Sequence, residues 1–208
     1  MELQEAMRTQ RAIRRVRPDP VDDDVLLRCA ELATRAPSGG NRQAVEFIFV
    51  RDPARKAALA RQYRASWSVY GGLGRLLLGR HEPTRKILDA VQWQVDHFAD
   101  IPVLVVVCLR GVSLPVPWIA RSSRYGSVYP AVQNFLLAAR AEGLGAALTT
   151  LPLWNRIAAR RIVGAPWSVE PVALIPVGWP LGRYGPTTRR PVEESVHVDR
   201  YGHRPFLR

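Results

Sequence analysis

Residues 36–43 read Ala36-Pro37-Ser38-Gly39-Gly40-Asn41-Arg42-Gln43, a polar bend between two segments of different periodicity. Upstream, Asp22, Asp23 and Asp24 place negative charge where a helix N-terminus favours it. Val25, Leu26, Cys29, Ala30 and Ala33 then recur at helical spacing, which predicts a helix over about 22–35. Pro37 ends it, because the residue before proline is pushed out of the α region. Downstream, Val45-Glu46-Phe47-Ile48-Phe49-Val50 predicts a strand over 45–51. The bend between them delivers a hydroxyl, an amide and glycine backbone donors at one elbow, and the two glycines let the backbone approach a ligand closely.

Outward from this elbow the pattern continues to alternate. A helix over about 2–12 precedes a turn at Pro18-Asp19-Pro20. Asp52-Pro53 starts a helix over about 53–64. Residues 65–82, with Trp67, Tyr70 and glycines 71, 72 and 74, read as an irregular mobile loop. Gly72-Leu73-Gly74 is not a dinucleotide fingerprint: no strand precedes it and the third glycine is missing. A helix over 84–98 and a buried strand over 101–109 follow, then a loop over 110–126 carrying Pro115, Pro117 and Trp118. From Ser127, residues Val128, Ala131, Val132, Phe135, Leu136 and Ala139 make an apolar stripe that Leu137 and Ala138 widen, and the helix stops at Gly143. Strands at about 146–150 and 171–178 bracket a helix over 154–163, and 183–208 form a polar, extended tail. Nothing marks a linker or repeat, so residues 1–208 read as one domain.

Three further motifs accompany the elbow: Arg11-Ala12-Ile13-Arg14-Arg15 near the start, Glu142-Gly143-Leu144 running to Thr149-Thr150-Leu151-Pro152-Leu153, and Pro176-Val177-Gly178-Trp179-Pro180 followed by Arg189-Arg190-Pro191. In this order, over residues 8–194, they resemble the FMN-dependent nitroreductase family, which includes the iodotyrosine deiodinases, and the segment over 142–153 is similar to the pattern of that branch. The resemblance implies an α+β fold with a central, mostly antiparallel sheet flanked by helices. It also implies a homodimer with FMN at the subunit interface, the 127–142 helix buried there and the tail wrapping the partner. Two-step chemistry is expected: NADPH or NADH reduces FMN, and a nitroaromatic, quinone or similar unsaturated acceptor leaves with the electrons. Other members of such a branch would be dehalogenases or flavin-dependent dehydrogenases, and a flavin-binding protein with little turnover is a further reading.

The resemblance assigns FMN contacts residue by residue. The opening segment supplies Gln10, Arg11, Ala12 and Arg14, the elbow Pro37, Ser38 and Asn41, the loop along the redox edge Thr149, Thr150 and Leu151, and the tail Arg189. Guanidinium forks suit a dianionic phosphate. The chain departs from the pattern at Gln10 (an arginine), Ala12 (a serine), Leu151 (a threonine) and Ala44-Val45 (a Pro-Trp). Arg15 and Arg42 are candidates for the missing charge, and Leu151 can act only through its backbone. Trp67 and Tyr70 are candidates for substrate contact.

Composition bounds the alternatives. The net charge is +12, from 28 arginines and only two lysines, scattered without zinc-finger or basic-zipper patterning, which argues against nucleic acid as the partner. No apolar run reaches about 18 residues, and the charged start lacks a signal-peptide core. Cys29 and Cys108 have neither metal-ligand spacing nor a disulfide framework, which suits a cytoplasmic location. His81, His97, His197 and His203 make no metal or acid/base motif, and no Gly-x-Ser-x-Gly elbow exists, so no protein group is assigned as catalytic.

Overall fold

The computed structural model describes residues 1–78, 82–111 and 118–207. Its centre is β2 (Val103–Arg110), an almost continuous apolar run that pairs antiparallel with β1 (Val45–Val50) on one side and β4 (Val169–Gly178) on the other. The short β3 (Gly145–Ala146) closes the far edge of β4, giving the order β1-β2-β4-β3. Side chains alternate across a strand. Val103, Val105, Val107 and Leu109 therefore face a layer made by α2 (Asp23–Thr34) and α5 (Trp118–Ala141). Leu104, Val106 and Cys108 face the opposite layer, made by α3 (Pro53–Leu78), α4 (Glu82–Asp96) and α6 (Arg156–Val163). A short α1 (Leu3–Thr9) rests against α5. This is the α+β architecture expected from the sequence, an antiparallel sheet between helical layers.

Several boundaries differ, each for a physical reason. The expected loop over 65–82 is helix to Leu78, with 79–81 outside the described residues. Its glycines accommodate packing rather than breaking the helix. A Cβ on Gly71 would lie 2.5 Å from the Trp67 ring, and one on Gly74 would lie 3.4 Å from Leu88 on α4. Trp67 is accordingly buried, its indole N–H donating to Gln92 Oε1 at 2.7 Å, which makes it a core residue rather than a loop contact. The expected loop over 110–126 is replaced from Trp118 onward by α5, while 112–117 lie outside the described residues. Tertiary contacts hold that extra helix: the Tyr125 hydroxyl donates to Glu170 Oε1, and Ser127 Oγ accepts from Gly39 N–H. The first helix ends at Thr9, and the strand expected over 146–150 shrinks to two residues plus a bridge from Thr149 to Leu174.

The apolar stripe of α5 is already covered within one chain, by α2 and the sheet. Its breadth alone therefore does not call for a second copy. Cys29 and Cys108 are fully buried on opposite faces of the sheet, and burial pushes both thiols up to about 12. Among the described residues no helix is long and apolar enough to cross a membrane, and no group of His, Cys, Asp and Glu could hold a metal ion.

Candidate functional site

The elbow is a constrained bend. Gly40, Asn41 and Gln43 all adopt positive φ, at 60°, 50° and 46°, a region that asparagine tolerates and glutamine rarely enters. Local bonds hold it there: Gln43 N–H donates to Ser38 Oγ at 3.1 Å, Asn41 N–H to Ser38 O at 2.9 Å, and Gly39 N–H to Ser127 Oγ at 3.1 Å. Most of the backbone donors expected to meet a ligand are thus engaged within the chain. The side chains remain: Ser38 is half-buried, while Pro37, Asn41 and Arg42 are exposed. A cleft of about 870 Å³ opens here, lined by Ser38, Gly40, Arg42, Arg110, Arg124 and Ser127 among others.

The opening segment lies elsewhere. Ile13 N–H donates to Ala146 O at 3.0 Å, laying residues 11–16 along β3, and Gly145 has no Cβ because one would meet Ile13 Cγ2 at 2.7 Å. Arg11 and Ala12 are exposed, Gln10 closes α1, and Arg15 lies over the Trp93 ring at 5.9 Å. Arg14 turns inward. It is half-buried and forms no ion pair among the described residues, and burial lowers its pKa against an opposing influence of Tyr63. Tyr63 is itself buried, and its hydroxyl donates to Gln94 Oε1 at 3.3 Å. Burial raises the Tyr63 pKa, with a hydrogen bond from Thr149 and the charge of Arg14 opposing.

Thr149 thus belongs to the same cluster as Arg14. Its backbone exchanges hydrogen bonds with Leu174 at 2.9 Å in both directions. Alternation turns the neighbouring Leu148 and Thr150 outward, and both are exposed. Leu151 O accepts from Ser66 Oγ at 2.9 Å, while its N–H has no partner in the chain among the described residues. The tail reaches the opening segment: Thr187 N–H and Oγ1 both bond to Arg8 O, at 3.1 and 3.2 Å, two residues before Arg189. Arg189 is exposed and, among the described residues, bonds only its neighbour Thr188 O, whereas Arg190 pairs with Glu194 at 3.9 Å.

The assigned residues therefore fall into two groups. Arg14, Thr149 and Leu151 sit at the β3 end of the sheet, against the α3/α4 layer, with Gln10, Arg11, Ala12, Thr150 and the tail nearby. Pro37, Ser38 and Asn41 sit at the β1 edge, against α5 on the opposite face. With strands about 4.8 Å apart, three strand steps separate the two edges by roughly 14 Å. Two residues of interest escaped the sequence reading. Leu148 was findable from alternation next to Thr149, and Tyr63 was not, because at helical spacing with Leu59 and Trp67 it reads only as core.

A four-stranded antiparallel sheet between helical layers, with a basic opening segment folded onto its short edge strand, defines an α+β protein of the nitroreductase type. The chain belongs to the Nitroreductase family, whose sequence model matches residues 7–179. It is similar to 5,6-dimethylbenzimidazole synthase of Rhodospirillum rubrum, with 28% identity over 195 residues, 88% of this chain and 87% of that protein. It is also similar to an NADH dehydrogenase of Thermus thermophilus, with 29% identity over 198 residues, 90% of this chain and 91% of that one. In fold it matches oxidized iodotyrosine deiodinase bound to FMN and 3-iodo-L-tyrosine, with a TM-score of 0.72 at 24% identity over 96% of this chain and 98% of that chain.

Proposed function

We propose that this chain is an FMN-dependent oxidoreductase, in which NADPH or NADH reduces the flavin and a nitroaromatic, quinone or similar acceptor then removes the electrons. The observation that carries this reading is Arg14, a half-buried guanidinium without a carboxylate partner among the described residues, set beside the Thr149–Leu151 loop. A desolvated, unpaired cation is costly unless an anion or strong acceptor meets it. FMN fits that demand: when bound it supplies two-electron chemistry, a dianionic phosphate and a ring that gains negative charge on reduction. Arg11 and Arg189 would hold the phosphate from the solvent side. Arg14 would donate to the ring's oxygen–nitrogen edge, Leu151 N–H would offer a donor along the redox edge, and Leu148 with Thr150 would shield the ring from water.

The elbow residues reach this same cofactor only from a second chain, because they lie on the opposite face and edge of the sheet. The reading is therefore a homodimer with two shared sites. The tail supports it, since residues 188–207 have no buried member and expose Val192, Tyr201 and Phe206. The test is anaerobic. FMN-loaded protein mixed with NADPH or NADH should bleach at the flavin band, and a nitroaromatic or quinone should restore the colour. A protein that binds no FMN, or whose flavin neither nucleotide reduces, would overturn the reading.

A further inference from the structure

A separate cleft of about 360 Å³ opens beside Thr150, on the side of α5 away from the elbow. Its walls are Tyr125 and Tyr129, one turn apart on α5, and Trp154, which the Tyr70 ring meets edge-on at 6.4 Å. Arg156 and Glu170 line it as well. Glu170 is buried, at 8% exposure, and its Oε1 accepts from the Tyr125 hydroxyl at 3.0 Å and from Arg156 Nη1 at 2.6 Å. Arg156 keeps Nε and Nη2 without a protein partner among the described residues, and its side chain is 60% exposed.

Two features of this arrangement ask for an explanation. Arg156 is the first residue of α6, where the helix macrodipole disfavours a cation. Glu170 is a buried carboxylate whose attraction for Arg156 fixes a side chain that would otherwise move freely in solvent. Together they hold a planar fork of N–H donors at the mouth of an aromatic-walled cleft, and such a fork matches paired oxygens.

We infer that this cleft selects, through Arg156, a planar aromatic acceptor that carries a carboxylate. The ring lies among Tyr129, Trp154 and Tyr125, and the oxygens face Arg156, with Glu170 as the residue that positions the guanidinium. The assignment rests on the proposed function in one respect: the cleft borders Thr150, whose loop brings the redox edge to the acceptor.

Titration calorimetry with 4-nitrobenzoate, on the FMN-loaded protein and on the same protein stripped of FMN, tests it. Arg156→Gln should weaken 4-nitrobenzoate binding by about ten- to a hundredfold, the loss of a charge-assisted fork. Neutral nitrobenzene should weaken by only about threefold, and Arg156→Lys should recover part of the loss. In turnover, Arg156→Gln should raise KM for 4-nitrobenzoate while flavin reduction by whichever of NADPH and NADH serves the wild type keeps its rate. Trp154→Ala, at an exposed position outside the ion pair, gives a second reading and should weaken both ligands alike. No binding of 4-nitrobenzoate to the wild-type protein, or equal binding by wild type and Arg156→Gln, would overturn the inference. Failure of FMN loading, or of flavin reduction by both NADPH and NADH, would count against the oxidoreductase reading alone, because the stripped protein still decides whether Arg156 holds the aromatic ligand.

Discussion

Replacing Arg14 by methionine separates a cofactor ligand from a structural residue, because the two roles predict opposite signs. In the protein without FMN, Arg14 has no carboxylate partner to lose among the described residues, and burial disfavours its charge. Methionine fills similar volume without that charge, so the stability of the FMN-free form should stay level or rise. FMN affinity should fall by about 1.5–3 kcal/mol, the worth of a charge-assisted hydrogen bond, which is roughly ten- to a hundredfold. At FMN fixed at 100 times the wild-type Kd, binding stabilises the wild type by about 2.7 kcal/mol. The variant would retain about 0.4–1.4 kcal/mol of that by the same relation, lowering its Tm with FMN by about 3–9 °C for a chain of this size. Flavin fluorescence titration gives both constants, and thermal melts with and without FMN give both stabilities. Equal losses of Tm in the two forms, or an unchanged Kd, would refute the assignment of Arg14 to the cofactor.

In the tail, Arg189→Ala should weaken FMN binding by about ten- to a hundredfold, while Arg190→Ala, whose exposed pair with Glu194 contributes little, should change it less than about threefold in the same titration. Gly71→Ala should destabilise the fold by about 1–3 kcal/mol in urea, since its Cβ would overlap the Trp67 ring; a neutral result would contradict a helix continuing past residue 70. Both thiols keep their protons until about 12 in the folded state, against about 8.5 when unfolded. Their contribution is fully present below about pH 8.5 and is lost as pH rises toward 12, by up to about 1.4 kcal/mol per pH unit for each thiol. Denaturant midpoints measured from pH 8 to 10 should fall accordingly, and should fall less in a Cys29→Ser variant.

The elements legible in the sequence are those in which local pattern and tertiary packing agree. The run Val103 to Leu109 reads as a buried strand because both of its faces are apolar, and it is the central strand. The α2 stripe ends where Pro37 forbids it to continue. The errors arise where tertiary packing reverses a local signal. Gly71 looks like a helix breaker, yet it is what lets the Trp67 ring lie against its own helix. Residues 118–126 look like a loop because Pro115 and Pro117 precede them in sequence and Gly126 ends them, and it takes Glu170, 45 residues after Tyr125, to hold them helical. The same distance in sequence hides the site. Arg14 and Tyr63 meet only because β3 pulls the opening segment against the α3/α4 layer, which no local spacing reveals.

The charges of the two proposed regions differ in a way that follows from what each would hold. Beside the Thr149 loop, Arg11, Arg14 and Arg189 have no carboxylate partners among the described residues, so that region carries uncompensated positive charge. Such a surface gains most from a ligand bearing a full negative charge. In the acceptor cleft the one buried carboxylate is matched by Arg156, leaving directional N–H donors with little net charge. That balance suits an oxygen-bearing aromatic that must leave after turnover, since a strong unpaired field would retain a charged product. No histidine lines the acceptor cleft or the elbow cleft among the described residues. Orientation in these clefts therefore falls to fixed donors such as Arg156, which need no change of protonation as charge develops on a bound ring.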